Sequence, residues 1–135
     1  MRQRGNKYHN KKVVHDGIKF ASKSEGERYL ELKAMQEKGE IRDLVLQPKF
    51  ILQESFRKNG ELFRAIHYVA DFQYYLNDQL VIEDVKGYMG YTTPEFKIKR
   101  KLFEARYPDL SLTITQMNNR KRTPVRKLKK GEVDG

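Results

Sequence analysis

Cysteine is absent from this chain, which excludes disulfides and thiolate-bound zinc and leaves only oxygen or imidazole ligands for any metal. Carboxylate oxygens would suit Mg²⁺ or Mn²⁺. Long apolar runs are missing as well. No stretch approaches the roughly 18 residues that a membrane span needs, and the basic opening MRQRGNKYHNKK leads into no apolar signal-peptide core. A cytoplasmic protein with no membrane partner is the expectation. Acidic charge is also in short supply: 18 Asp and Glu face 28 Lys and Arg, for a net charge of +10. That imbalance points to a polyanionic partner, nucleic acid first. Charge alone does not separate DNA from RNA or from an anionic membrane, but no amphipathic anchor with bulky apolar residues favours the membrane.

The 135 residues, 38% of them hydrophobic, suffice for one modest core and not for two. A single domain is expected over 13–116, between a flexible basic arm at 1–12 and a mobile basic tail at 117–135, where NNRKRTPVRKLKKGEVDG has little to bury. Within the domain, VVHDGIKF alternates about Asp16-Gly17, a dipeptide suited to a type I′ hairpin turn. A helix is predicted from Ser22 to Lys38, capped by Ser22 with Glu25 as its reciprocal partner and ended by Gly39. LVLQPKFILQ reads as a strand at an edge or bulged at Pro48. After the RKNGE turn, Phe63 to Leu76 and Leu80 to Lys86 form a hairpin about Asn77-Asp78. Thr92 or Thr93 then caps a second helix that opens with Pro94 and ends before Pro108, and Leu110 to Thr115 is a final strand. Hairpin, helix, three strands, helix and strand make an α/β layer fold with a mixed sheet.

The chemistry gathers in LVIEDVKGY. If the hairpin turns symmetrically about Asn77-Asp78, Asp71 faces Asp84, and directly opposed like charges repel. Alternation puts Lys86 on the face of Asp84 and Glu83 on the other. A divalent cation between the two aspartates would remove the repulsion, with Lys86 beside it to donate to a phosphate or an attacking water. The other reading is a solvated strand end where Lys86 merely neutralises Asp84. A bulge would instead bring Glu83 forward as a substitute ligand. Glu25 is accounted for by capping alone. His9, His15 and His67 have no ligand spacing, and no serine, cysteine or histidine constellation suits a covalent route. Lys97, Lys99, Arg100 and Lys101 follow the YMGYTTP loop and either track a phosphate backbone or form a solvated face. Tyr88 and Tyr91 either stack on bases or pack.

SKSE in the first helix, VADF, EDVKG and then a Lys-rich helix resemble the PD-(D/E)XK nuclease superfamily, over about Ser22 to Thr115 and in the right order. More closely, the SKxE, LQPxF and ADF…EDVKG blocks are similar to a phage-encoded, Holliday junction resolvase-like branch. The resemblance implies a restriction-endonuclease-like core and a Mg²⁺-dependent (or Mn²⁺-dependent) endodeoxyribonuclease located in the host cytoplasm. It implies Asp71 and Asp84 as acidic ligands, Glu25 as the glutamate completing the metal site, Lys86 as the motif lysine, and Gln47 as an accessory polar residue. Branched DNA is the implied substrate and a homodimer the implied assembly, since resolving a junction takes two symmetric cuts. Ala70 stands where the motif carries proline. The alternative is a non-catalytic nucleic-acid-binding module whose carboxylates are structural.

Overall fold

The computed structural model describes residues 12–87 and 93–117 and the backbone of 122–124. β1 (Val13–His15) and β2 (Ile18–Phe20) form the expected hairpin, and both turn residues, Asp16 and Gly17, have positive φ. α1 (Lys23–Glu37) follows, capped by Ser22, whose Oγ accepts from the Glu25 N–H at 3.1 Å; Gly39 at φ +80° ends it. The hairpin is tied to α1 through Asp16, which accepts from Tyr29 Oη at 2.8 Å and Lys33 Nζ at 2.6 Å. Gly26 lies against it so closely that an added Cβ would stand 2.5 Å from Val13 Cγ2.

Next come β3 (Arg42–Leu46), β4 (Lys49–Gln53), β5 (Phe56–Lys58), β6 (Glu61–Phe63), β7 (Ile66–Val69) and β8 (Phe72–Leu76). The pairings β3–β8, β4–β7 and β5–β6 are all antiparallel, so the chain from Arg42 to Leu76 is one long ribbon reversing at Asn59-Gly60. The run expected to be bulged at Pro48 is divided there into two strands, and the run expected as one strand from Phe63 to Leu76 is broken as well. Gln47, at φ +52°, precedes Pro48, and there the chain leaves one sheet for another. Across the bend the Gln47 N–H donates to the Asp71 carbonyl at 2.9 Å and the Ala70 N–H to the Pro48 carbonyl at 3.0 Å. Asp71 therefore sits at the seam.

β9 (Gln79–Lys86) pairs antiparallel with β8, α2 (Pro94–Arg106) crosses over, and β10 (Leu112–Met117) returns parallel to β9. Thr93 caps α2 and Pro94 occupies its first turn. β11 (Arg122–Pro124) pairs with β10, so the stretch expected as a mobile tail contributes a strand; the arm up to residue 11 and residues 125–135 lie outside the described residues. The main sheet runs β11-β10-β9-β8-β3, and the fold is α/β with a mixed sheet and two helices.

Alternation along β9 divides the core. Val81 and Val85 join Phe20, Tyr29, Leu32, Phe72 and Tyr74 in a cluster beneath α1. Ile82 joins Tyr68, Ala70, Leu112, Ile114 and α2's Phe96 and Phe103 on the other face. Glu83, wholly buried, accepts from Arg28 Nε at 2.7 Å, Arg28 Nη2 at 3.0 Å and Tyr74 Oη at 2.6 Å. Glu83, expected as a substitute ligand had a bulge brought it forward, instead accepts three hydrogen bonds that clamp α1 to the sheet, and it does not line the cleft described below.

Removing one partner of such a pair leaves a buried charge, so Arg28→Met should destabilise the protein by about 3–5 kcal/mol in urea unfolding. Adding Glu83→Gln, whose amide oxygen still accepts from Tyr74, should recover at least half of that loss. Equal stability of Arg28→Met and the wild type would refute the clamp.

Candidate functional site

The β8–β9 ladder runs Phe72↔Glu83, Gln73↔Ile82 and Leu76↔Gln79, the register expected from a symmetric turn. Asp71 lies one residue beyond its end, and its N–H donates to the Glu83 carbonyl at 3.1 Å. The backbone thus departs from the ladder at the point where the two aspartates were expected to face, yet both side chains line the same cleft and the charge of Asp84 acts on the Asp71 carboxyl. The Val85 N–H donates to Asp71 Oδ2 at 2.6 Å and holds that carboxyl in place.

Asp84 is 4% exposed. Its Oδ2 accepts from Tyr68 Oη, and its Oδ1 lies 3.5 Å from Lys86 Nζ. Lys86 in turn stands over the Phe96 ring, 4.2 Å from its centroid, a cation–π contact that fixes the ammonium between α2 and the aspartate. Burial pushes the Asp71 carboxyl well above the ordinary carboxylate range, and the charge of Asp84 pushes it further. The same two causes raise the Tyr68 hydroxyl, so it stays a donor.

Glu25 reaches this place from the first turn of α1. Burial and then Asp84 raise its carboxyl, while an N–H donated by Ala21 and the charge of Lys86 work the other way. Its carboxylate lines the cleft that the aspartates occupy. Glu25, Asp71, Asp84 and Lys86 line one cleft of about 360 Å³, together with His67, Tyr68, Thr93, Glu95 and Lys99. Asp71 and Asp84 meet as a pair; among the described residues no group of three His, Asp or Glu side chains forms a complete ligand set. The donors are oxygens of hard character, and a cation held here would keep water or phosphate oxygens in its remaining positions.

Other expected residues are dispersed. Gln47 lines a smaller cavity of about 70 Å³ next to the first, sharing Glu25 and Asp71 with it. Of the α2 cations, Lys99 lines the cleft and pairs with Glu95 at 3.1 Å, Arg100 is half-buried, and Lys97 and Lys101 are exposed. Tyr88 and Tyr91 lie outside the described residues. Two residues were not expected. Tyr68 has no motif of its own, and only its inward position beside VADF could have marked it. Arg28 lies three residues after Glu25, on the same helical face, which is the signal that both address the sheet.

Among the described residues no helix is long and apolar enough to cross a membrane. No curated protein and no solved structure matches the chain. The profile of a family described as "Protein of unknown function (DUF1064)" matches residues 5–122. With most of its length matched, the chain belongs to the DUF1064 family of proteins of unknown function.

Proposed function

We propose that this protein is a Mg²⁺- or Mn²⁺-dependent endonuclease with a restriction-endonuclease-like core. It hydrolyses DNA phosphodiesters at branched structures such as four-way junctions, as a homodimer in the host cytoplasm. One observation carries the reading: half-buried Asp71 and buried Asp84 line one cleft that also holds a glutamate and a lysine. Forcing like charges together in a sheet is costly unless a cation or a proton compensates it. The α-helix, three-strand, α-helix, strand order of α1, β3, β8, β9, α2 and β10 supports the core.

In this reading Asp71 and Asp84 would seat the cation, and Glu25, on the wall of the same cleft, would be drawn in to complete the site. When bound, Mg²⁺ would supply Lewis-acid polarisation of the phosphate and a more acidic attacking water. Lys86, steadied by Phe96 and Asp84, donates to the water or to a phosphate oxygen as charge develops there. Tyr68 acts through Asp84: by occupying Oδ2 it leaves Oδ1 turned toward Lys86 and the cation. Lys99 at the cleft rim meets the phosphate backbone.

Cleavage of a labelled four-way junction and a matched linear duplex in Mg²⁺ tests the proposal. Paired nicks at the junction are expected, reduced at least about a hundredfold by Asp84→Asn or Lys86→Ala. Equal cutting of both substrates would remove the junction preference. Binding without any cutting in Mg²⁺ or Mn²⁺ would sink the nuclease and leave the non-catalytic binding module. Tyr68→Phe should raise the Mg²⁺ concentration for half-maximal cleavage by about tenfold while metal-free DNA affinity stays unchanged. An unchanged Mg²⁺ dependence would deny Tyr68 its positioning role.

A further inference from the structure

The ribbon that supplies His67, Tyr68 and Asp71 to the cleft wall continues past it. Every residue from Gln53 to Arg64 is exposed, and among the described residues β5 and β6 pair with each other and with no other strand. The tip is an arm held out from the body. Its composition is unusual for a solvated hairpin. Phe56 and Phe63, opposed across the strands, stack with centroids 4.9 Å apart and planes 11° apart, and each remains about two-fifths exposed, at 43% and 39%. Neither ring belongs to either core cluster. Leu62 and Ile66 add exposed apolar surface. FRKNGELFR, residues 56–64, carries three cations against one acid.

A cross-strand ring pair helps hold a short hairpin together. It does not require surrounding cations or a position at the end of a cleft wall. We propose that the β5–β6 tip is a contact arm for unpaired bases of the polynucleotide bound in the cleft. The flat ring pair offers a stacking platform that tolerates any base, because every base has a π-face. Arg57, Lys58 and Arg64 neutralise the phosphates on either side. Phe63 lies four residues from His67, a reach of at most about 14 Å of extended chain, so the arm meets bases a few nucleotides from the scissile bond. Fully stacked duplex hides its base faces, whereas branch points and single strands expose them. The arm thus selects disrupted DNA. This inference rests on the reading of the cleft as acting on DNA.

The test is fluorescence anisotropy in EDTA with a labelled single-stranded oligonucleotide and its duplex, comparing wild type with Phe56→Leu/Phe63→Leu and Arg57→Gln/Lys58→Gln. Leucine keeps apolar volume and loses the ring face. The leucine pair should weaken single-strand affinity by about tenfold and duplex affinity by less than about twofold, so the retained duplex binding also reports an intact fold. The glutamine pair should weaken both substrates and flatten the salt dependence by about one to two phosphate contacts. Unchanged single-strand affinity in the leucine pair overturns the proposal, as does an unchanged salt slope in the glutamine pair. Sedimentation showing that the leucine pair breaks a dimer without altering DNA affinity would reassign the arm to a second copy of this chain. Cutting is not read in EDTA, so loss of the nuclease reading and loss of the arm are separate outcomes.

Discussion

A carboxylate with no solvent exposure is tolerable only when its charge is matched and its oxygens are occupied. Glu83 meets both conditions through the forked guanidinium of Arg28 and the hydroxyl of Tyr74. Much of the rest follows. With Glu83 committed to the α1 face of β9, alternation sends Asp84 and Lys86 to the opposite face. With Arg28 anchored, α1 is fixed against the sheet, and Glu25, one turn earlier, is delivered to the sheet end where Asp71 and Asp84 meet. A clamp made for stability thus sets the position of the most distant member of the cleft.

The cleft itself is the place where local rules conflict. Consistent choices elsewhere, the Asp16-Gly17 turn, the Ser22 cap and the Thr93-Pro94 start, agree with the fold they occur in. At the start of β8 the protein instead sets a half-buried and a buried carboxyl side by side and raises the proton affinity of the first. Such a cost is commonly found where structure is shaped for a partner rather than for folding alone. In the proposed reading a divalent cation would convert the repulsion into attraction, and the polyanion expected from the net charge would be the substrate such a cation serves.

Much of this was legible in the sequence. Both helices were marked by their caps, and the β8–β9 register followed from Asn77-Asp78, because period-two alternation leaves little freedom once the turn is known. Asp71, Asp84 and Lys86 could be selected on that basis, whereas Glu25 read as a capping residue and entered the site only through the family resemblance. The bend at Gln47-Pro48 and Ala70-Asp71 could not, since it depends on a positive φ at a glutamine that no local pattern demands. Without it, Phe63 to Leu76 reads as one strand and Asp71 as an ordinary ladder residue. Arg28 and Tyr68 were missed because their partners, Glu83 and Asp84, lie 55 and 16 residues away, and side-chain pairing at that range leaves no periodic trace. Arg122–Pro124 was missed because a basic, apolar-poor segment can still add backbone hydrogen bonds to the edge of a sheet.

The central claim, that the Asp71–Asp84 pair is a cation seat, is tested most directly by thermal unfolding in EDTA and in excess Mn²⁺. Anything that binds the folded state alone raises its stability, and removing one of two facing carboxyls relieves the cost of setting them together. The wild type should therefore melt higher in Mn²⁺ than in EDTA. Asp71→Asn should melt above the wild type in EDTA and gain nothing from Mn²⁺. A wild type indifferent to Mn²⁺, or an Asp71→Asn variant that gains as much as the wild type, would contradict the account.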